Sequence, residues 1–152
     1  MATPEQGERR PITIGDLCRL QLVGDPRVSP DGSRIAYVLT TIHEDDNEYR
    51  SAIWCVDASG EGEPRQLTAG PKKDTAPAWS PDGTRLAFVS DRAGKPQVYV
   101  LDLRGGEARK LTDAPDGAGG PQWSPDGRLI LYSAKVEEGE GDGVEPGQAA
   151  DK

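Results

Sequence analysis

Short apolar runs alternate with turn-forming residues along most of the chain, and one pattern occurs three times. In each copy a short arm ends in Ser-Pro-Asp-Gly, and a run rich in β-branched and aromatic residues follows at 33–38, 84–89 and 128–132. The tetrapeptide predicts a tight turn, because Pro presets φ at the first corner, Asp bonds back to the backbone and Gly accepts a positive φ. Each copy is therefore predicted to form an antiparallel hairpin. The predicted structural turn positions are Pro30, Asp31, Gly32, Pro81, Asp82, Gly83, Pro125, Asp126 and Gly127.

A second pair of predicted strands follows the hairpin in the first two copies. Residues 53–57 align with 98–102, and residues 62–68 align with 106–112. The copies lie 51 and 44 residues apart, from Ser29 to Ser80 and from Ser80 to Ser124. A period of that length built from four strands is typical of propeller blades. We therefore predict an all-β fold, a partial β-propeller of about two and a half four-stranded antiparallel blades.

The repeat also predicts how the chain is divided. A helix-like spacing of Leu17 and Leu20, with Thr13 three residues before Asp16 as a capping pair, predicts a short helix within 12–22. The extra residues of the first copy predict a loop at 41–51. The predicted segments are a disordered N-terminus at 1–10, a lead-in with the helix at 11–25, blade one at 26–70, blade two at 76–114, the first hairpin of blade three at 121–135 and a disordered acidic tail at 136–152.

Charge and composition exclude several functions. The net charge is −8, and no basic stripe is present, so nucleic acid is not an expected partner. Residues 1–10 are polar and no apolar stretch is long enough to cross a bilayer, so we expect a cytoplasmic protein without a membrane partner. Cys18 and Cys55 are expected to be reduced and structural.

Few residues carry candidate chemistry. No serine lies in the Gly-x-Ser-x-Gly context of an α/β-hydrolase, and the chain has one histidine, His43, so we expect no catalytic residue and no cofactor here. The repeated aspartates are explained by their turns, and no oxygen-ligand loop is present, so we expect no metal site. The weak candidates for substrate binding are Glu44, Asp45 and Asp46, since an acidic loop attracts an amino terminus.

Aromatic and aliphatic residues recur at two positions of the repeat. One position precedes the turn and the other lies on the strand after it. A residue type that recurs at one blade position is better explained by packing between blades than by ligand binding. The predicted blade core consists of Val28, Tyr37, Trp79, Phe88, Trp123 and Tyr132.

Four motifs carry a resemblance to a known family. They are Asp-Pro-Arg-Val-Ser-Pro-Asp-Gly at 25–32, Glu-Pro-Arg-Gln-Leu-Thr at 63–68, Trp-Ser-Pro-Asp-Gly at 79–83 and Ser-Asp-Arg at 90–92. Over residues 11–135 the chain resembles the N-terminal propeller of prolyl-oligopeptidase-family serine peptidases, in the acylaminoacyl-peptidase or dipeptidyl-aminopeptidase-like branch. The Ser-Pro-Asp-Gly unit alone is also similar to the repeats of TolB-like and WD-like propellers.

The resemblance implies a function that this chain performs only with other parts. In such peptidases the propeller caps an α/β-hydrolase domain and restricts entry to short peptides, while the catalytic Ser, Asp and His lie in the hydrolase domain. We therefore expect a portion that is truncated before the catalytic domain, gates substrates, docks on that domain and serves a peptidase of short or acylated peptides. The alternative is a free-standing TolB-like interaction module. Expected partners are the hydrolase domain or further blades, peptides, and a homo-oligomer formed through open blade edges.

Overall fold

The computed structural model describes residues 10–69 and 72–135, which form antiparallel sheets and one short helix. The first sheet, blade one, has the strand order β1-β2-β3-β4, the second, blade two, has the order β5-β6-β7-β8, and β9 pairs with β10 in blade three. The elements are α1 (Ile14–Leu17), β1 (Gln21–Val28), β2 (Arg34–His43), β3 (Glu48–Asp57), β4 (Arg65–Gln66), β5 (Asp74–Trp79), β6 (Arg85–Ser90), β7 (Gln97–Asp102), β8 (Arg109–Lys110), β9 (Ala118–Trp123) and β10 (Ile130–Ala134). The predicted all-β, open partial propeller is confirmed. The predicted disorder at 136–152, and that at 1–9, lies outside the described residues.

The core of the molecule lies between successive blades. One cluster joins Ala36 and Ile53 of blade one to Leu86, Phe88 and Tyr99 of blade two. Because side chains alternate between the two faces of a strand, the neighbouring residues of blade two pack in the opposite direction.

A second cluster joins blades two and three. Ala87 and Val98 of blade two pack against Ala118 and Ile130 of blade three. Each blade thus has a front face, which turns toward the next blade along the chain, and a rear face, which turns toward the preceding blade. Blade two is covered on both faces.

The predicted loop at 41–51 is wrong, because most of it is strand. β2 and β3 pair continuously from Arg34 opposite Asp57 to His43 opposite Glu48, which leaves a loop of only 44–47. The β-branched residues Thr40, Thr41 and Ile42 favour this extension. The insertion of the first copy therefore lengthens a hairpin.

The lead-in segment also contains more β-strand and less helix than predicted. The helix covers Ile14–Leu17 only, and its capping pair is present, since the Thr13 N–H and hydroxyl both donate to the Asp16 carboxylate at 2.8 Å. β1 begins at Gln21, with Leu22 opposite Thr40. Blade one therefore begins before residue 26, because pairing with the lengthened β2 extends its first strand.

The predicted blade core divides into three groups. Phe88 is fully buried, whereas Trp79, Trp123 and Tyr132 pack half-buried against the two clusters. Tyr37 is half-buried. Val28 is wrong as a core residue, because it is 61% exposed. It lies opposite Ile35 on the rear face of blade one, which no other described sheet covers.

Candidate functional site

The three Ser-Pro-Asp-Gly turns share one hydrogen-bond network. In blade two the Ser80 hydroxyl donates to Asp82 Oδ1 at 2.5 Å, and the Thr84 N–H donates to the same oxygen at 3.1 Å. The Arg85 N–H donates to Ser80 Oγ at 2.9 Å. The same bonds recur around Asp31 and Asp126.

This network gives the turn serines a structural role, since each hydroxyl donates to the aspartate of its own turn. The bond from the Ser80 hydroxyl, followed by that from the Thr84 N–H, lowers the pKa of Asp82 to about 2. The equivalent bonds from Ser29 and Ser33 lower the pKa of Asp31 to about 2. Each serine proton is therefore directed at a carboxylate that stays ionised, and the residues act as rigid corners.

A repeated contact that the sequence analysis missed joins the blades. The Arg34 guanidinium lies 4.9 Å from the centre of the Trp79 ring and donates from Nη2 to the Gly83 carbonyl at 2.9 Å. The Trp79 Nε1–H donates back to the Arg27 carbonyl at 2.9 Å. We call this arrangement of Arg34 and Trp79 an Arg–Trp clamp.

A second clamp joins blade two to blade three. Arg85 lies 4.7 Å from the centre of the Trp123 ring and donates to the Gly127 carbonyl at 3.2 Å. The Trp123 Nε1–H donates to the Ala78 carbonyl at 3.0 Å. The sequence signal was present, since in two copies an Arg lies two residues after the turn glycine and in two copies a Trp directly precedes the turn serine.

The first strand of each sheet carries a bulge that the sequence analysis also missed. Asp25, Ala76 and Gly120 occupy equivalent positions, have φ of 47°, 51° and 59°, and each precedes a proline. The strand register shifts at each of these positions. Bulges of this kind bend a strand and turn its side chains in a new direction.

The bulges of blades two and three border a cleft of about 370 Å³. Trp79, Trp123, Pro77 and Pro121 line it together with Arg27. Aromatic and proline surfaces with one cation are suited to an extended peptide.

The candidate residues Glu44, Asp45 and Asp46 lie together at the tip of the β2–β3 hairpin and are exposed. Asp46 pairs with Arg50, while within 10–69 and 72–135 no ion pair involves Glu44 or Asp45. Strands of ten residues here, against six in blade two, extend the tip by about 13 Å at 3.3 Å per residue. The acidic tip therefore projects beyond the neighbouring blade.

His43 is the last residue of β2 and lies at the base of this tip. Its Nε2 lies 3.1 Å from the Thr41 hydroxyl, while the nearby Ser51 hydroxyl bonds to Thr40 at 2.8 Å. His43 lines a cleft of about 280 Å³ with Arg50. In the part of the chain that the structure describes, no group of three or more His, Cys, Asp or Glu residues could hold a metal ion.

Arg92 of the Ser-Asp-Arg motif at 90–92 forms an ion pair with Asp74 within blade two. Asp74 is 1% exposed and accepts two hydrogen bonds of 3.0 Å from Arg92 Nη2. The Arg92 guanidinium also lies 5.4 Å from the Phe88 ring centre and 4.9 Å from that of Tyr99. The pair ties the start of β5 to the end of β6, and loss of either partner would leave an uncompensated charge.

Comparison with known proteins agrees with the propeller repeat. The family model described as the TolB beta propeller domain matches residues 18–142. The chain belongs to this family. The chain is also similar to the uncharacterized peptidase YuxL of Bacillus subtilis (strain 168), which is 44% identical over 96 residues, covering 62% of this chain and 14% of the peptidase.

Two further comparisons give a TolB protein and a second peptidase. The Tol-Pal system protein TolB of Alkalilimnicola ehrlichii is 42% identical over 93 residues, covering 61% of this chain and 21% of that protein. The solved acylaminoacyl peptidase of Pyrococcus horikoshii matches with a TM-score of 0.63 at 26% identity, over 77% of this chain and 18% of that chain. The chain is thus a propeller portion related to peptidase propellers and to TolB-like repeats, and it spans about a fifth or less of these relatives.

None of the described residues forms a helix that is both long and apolar enough to cross a membrane.

Proposed function

We propose that this propeller portion docks on the α/β-hydrolase domain of a serine peptidase and gates the entry of short or acylated peptides. The observation that carries the proposal is the 44% identity to a peptidase over 96 residues. The fold likeness to an acylaminoacyl peptidase supports it. The proposal assigns catalysis to the hydrolase domain and gives the turn serines, which donate hydrogen bonds to aspartates of the same turns, a structural role.

The acidic tip is assigned the recognition of the peptide amino terminus. Glu44 and Asp45 are exposed and outside the ion pairs of the described chain, so their negative potential acts on an approaching ammonium group. The neighbouring carboxylates Asp46 and Glu48 are partly neutralised by Arg50 and Lys72. Because the tip projects past blade two, a peptide meets these charges before it reaches the blades.

The test measures peptide binding to the 152-residue chain by fluorescence anisotropy, with the label at the peptide C-terminus. The double variant Glu44→Gln and Asp45→Asn is expected to weaken binding of a free-amine peptide about two- to fivefold, which corresponds to less than 1 kcal/mol for exposed charges. The N-acetylated form of the same peptide should bind equally well to both proteins.

A matched control removes two charges elsewhere. Glu61→Gln with Glu63→Gln changes the exposed loop between β3 and β4 by the same charge and should leave both peptides unaffected. Equal losses for the two double variants, or equal losses for the free and acetylated peptides, would contradict recognition at the tip. In a peptidase that contains this propeller, the tip variant should raise KM for free-amine substrates and leave kcat unchanged.

The second candidate function is a TolB-like protein-interaction module. The 42% identity to a Tol-Pal system protein favours it. A module of this kind would use the cleft lined by Trp79 and Trp123 and would show no preference for a free amino terminus. The same anisotropy measurement therefore separates the two functions: loss of binding on Trp123→Ala with an unchanged circular dichroism spectrum, and no loss on Glu44→Gln with Asp45→Asn, would favour the module.

A further inference from the structure

The dipeptide Asp-Gly occurs four times in the part of the chain that the structure describes, each time at the end of a Pro-Asp-Gly turn. The four pairs are at 31–32, 82–83, 116–117 and 126–127. In each turn the glycine has a positive φ, and its N–H donates to the carbonyl of the residue before the proline at 2.8 to 3.0 Å. The four turns thus share one backbone hydrogen bond, and they differ in what surrounds the aspartate carboxyl group.

In the three Ser-Pro-Asp-Gly turns the carboxylate is held in place. Oδ1 of Asp31, Asp82 and Asp126 accepts one hydrogen bond from the turn serine hydroxyl and one from the backbone N–H two residues after the aspartate. In the first two turns a further hydroxyl, from Ser33 or Thr84, donates to Oδ2 at 2.8 Å. These bonds lower the pKa of all three aspartates, to about 2 at Asp31 and at Asp82.

Asp116 lacks this network, because Ala114 stands where the other turns have serine. Within residues 10–69 and 72–135, its carboxylate has one polar contact, from Lys95 Nζ at 2.8 Å. The Lys95 side chain is 60% exposed, so solvent and salt screen this pair. The N–H two residues after the aspartate, that of Ala118, donates to the Pro96 carbonyl instead. The Asp116 carboxyl group is therefore the least restrained of the four.

An Asp-Gly pair undergoes a known chemical rearrangement when its carboxyl group is free to turn toward the main chain. The glycine nitrogen attacks Cγ of the protonated carboxyl group and gives up its proton. A C–N bond forms and one water leaves, which yields a five-membered succinimide ring. Water then adds to the main-chain carbonyl of the aspartate and breaks its C–N bond, so that the product is isoaspartate. Glycine favours ring closure because it has no Cβ and is conformationally free.

We propose that Asp116 is a site of isoaspartate formation in the folded protein, whereas Asp31, Asp82 and Asp126 are protected by their turns. At Asp116 the carboxyl group turns toward the Gly117 nitrogen once it leaves a single exposed lysine. Each of the other three must first break at least two hydrogen bonds. Their lowered pKa also makes the protonated form, from which water leaves, rarer.

The modification lies on the connection between blades two and three. Gln97 holds one end of the turn, since its Nε2 donates to the Ala114 carbonyl at 2.7 Å and the Ala114 N–H donates to its Oε1 at 3.0 Å. The Pro96 carbonyl holds the other end through the Ala118 N–H at 2.8 Å, and a Cβ added at Gly117 would lie 3.1 Å from that carbonyl oxygen. Isoaspartate adds one carbon to the main chain between these anchors, so it should loosen the start of β9.

The test stores the full chain at neutral pH and follows isoaspartate by tryptic digestion and mass spectrometry. Electron-transfer fragmentation separates Asp116 from Asp126 within the peptide 111–128, and the pair at 142–143, outside the described residues, is read in another peptide. In the folded chain, isoaspartate should form at Asp116 about tenfold faster than at the other three sites, since their turn hydrogen bonds must break. In urea the four sites should react at similar rates, because each is Pro-Asp-Gly. Equal rates at the four sites in the folded chain, or no isoaspartate at Asp116, would overturn the proposal.

Two variants test the cause of the difference. Ala114→Ser supplies the missing hydroxyl and should lower the rate at Asp116 toward that at Asp126. Lys95→Met removes the one polar contact and should raise the rate at Asp116 about two- to fivefold, the range of an exposed ion pair, without changing Asp126. Arg109→Met, which removes an exposed cation from β8, is the control and should change neither rate. If neither Ala114→Ser nor Lys95→Met alters the rate at Asp116, restraint of its carboxyl group does not control the reaction.

A second measurement tests the effect on the blades. Wild-type chain that carries isoaspartate at Asp116, separated by ion exchange, should have a lower Tm than fresh chain. Asp116→Glu keeps the charge and cannot form the five-membered ring, so its Tm should not fall on storage. An equal fall of Tm in the stored Asp116→Glu chain would contradict the assigned effect on blade three.

Discussion

Blades one and two share their turns, strand order and pairing, yet they bury equivalent residues to very different extents. Phe88 on the rear face of blade two is fully buried, while the equivalent Tyr37 of blade one is half-buried. The turn networks around Asp31 and Asp82 are the same. The difference therefore arises between blades: a repeat position becomes core only when another blade covers it.

The largest expected effect tests this comparison directly. Phe88→Ala should lower the free energy of unfolding by about 3–5 kcal/mol, because it removes a fully buried ring and leaves a cavity. Tyr37→Ala should cost about half of that or less, since its ring is already partly in water. Urea denaturation of the two variants measures the difference. Equal losses would show that the rear face of blade one is covered in solution.

A smaller loss of stability is expected when the first clamp is broken at Arg34, which lies on the front face of blade one. Arg34→Met keeps the aliphatic stem and removes the contacts to Trp79 and the Gly83 carbonyl, so it should cost about 1–2 kcal/mol. Arg85→Met should cost a similar amount, because it makes the same contacts to the next blade.

The control for the clamp is Arg109→Met on the exposed strand β8, which should change stability by about 0.5 kcal/mol or less. In a double-mutant cycle, Arg34→Met and Trp79→Leu should be coupled by about 1 kcal/mol. Additive effects in the denaturation midpoints would show that the ring and the guanidinium do not stabilise each other.

The smallest effect concerns the turns, where the two blades should behave alike. The folded-state pKa of Asp31 and of Asp82 is about 2, below the usual value near 3.9 in an unfolded chain. These carboxylates therefore stabilise the fold fully above pH 4, and that stabilisation is lost as the pH falls from about 4 to 2.

Thermal unfolding between pH 5 and 2 measures the turn contribution. Asp31→Asn and Asp82→Asn should each make the dependence of Tm on pH shallower by a similar amount, because the networks are the same. A shallower dependence of Tm on pH in one variant only would mean that the arginine next to that turn, rather than the turn itself, controls the titration of the aspartate.

Some of the site residues could be predicted from the sequence and others could not, for physical reasons. The turn positions follow from local chemistry: Asp31, Asp82 and Asp126 each accept a backbone N–H of the same turn, and the turn glycines have positive φ. The bonds from the turn serines were not predicted. The acidic group at 44–46 lies in the loop of 44–47. The sequence predicted a longer loop, at 41–51, because the pairing of Thr41 with Arg50 joins two strands and no local pattern specifies it. The clamps, the bulge at Ala76 and the ion pair of Asp74 with Arg92 were missed, since each joins residues from different strands or depends on a backbone twist.

By itself, the sequence determined the repeat, its turns and the alternation of its strands, because these depend on the φ preferences of Pro, Asp and Gly and on the two-residue period of a strand. Only the tertiary structure decided which equivalent residues are core. Val28 and Trp79 occupy the same repeat position, yet one is exposed and the other packs against a blade. Burial depends on what lies across the sheet face, and no local pattern specifies that neighbour.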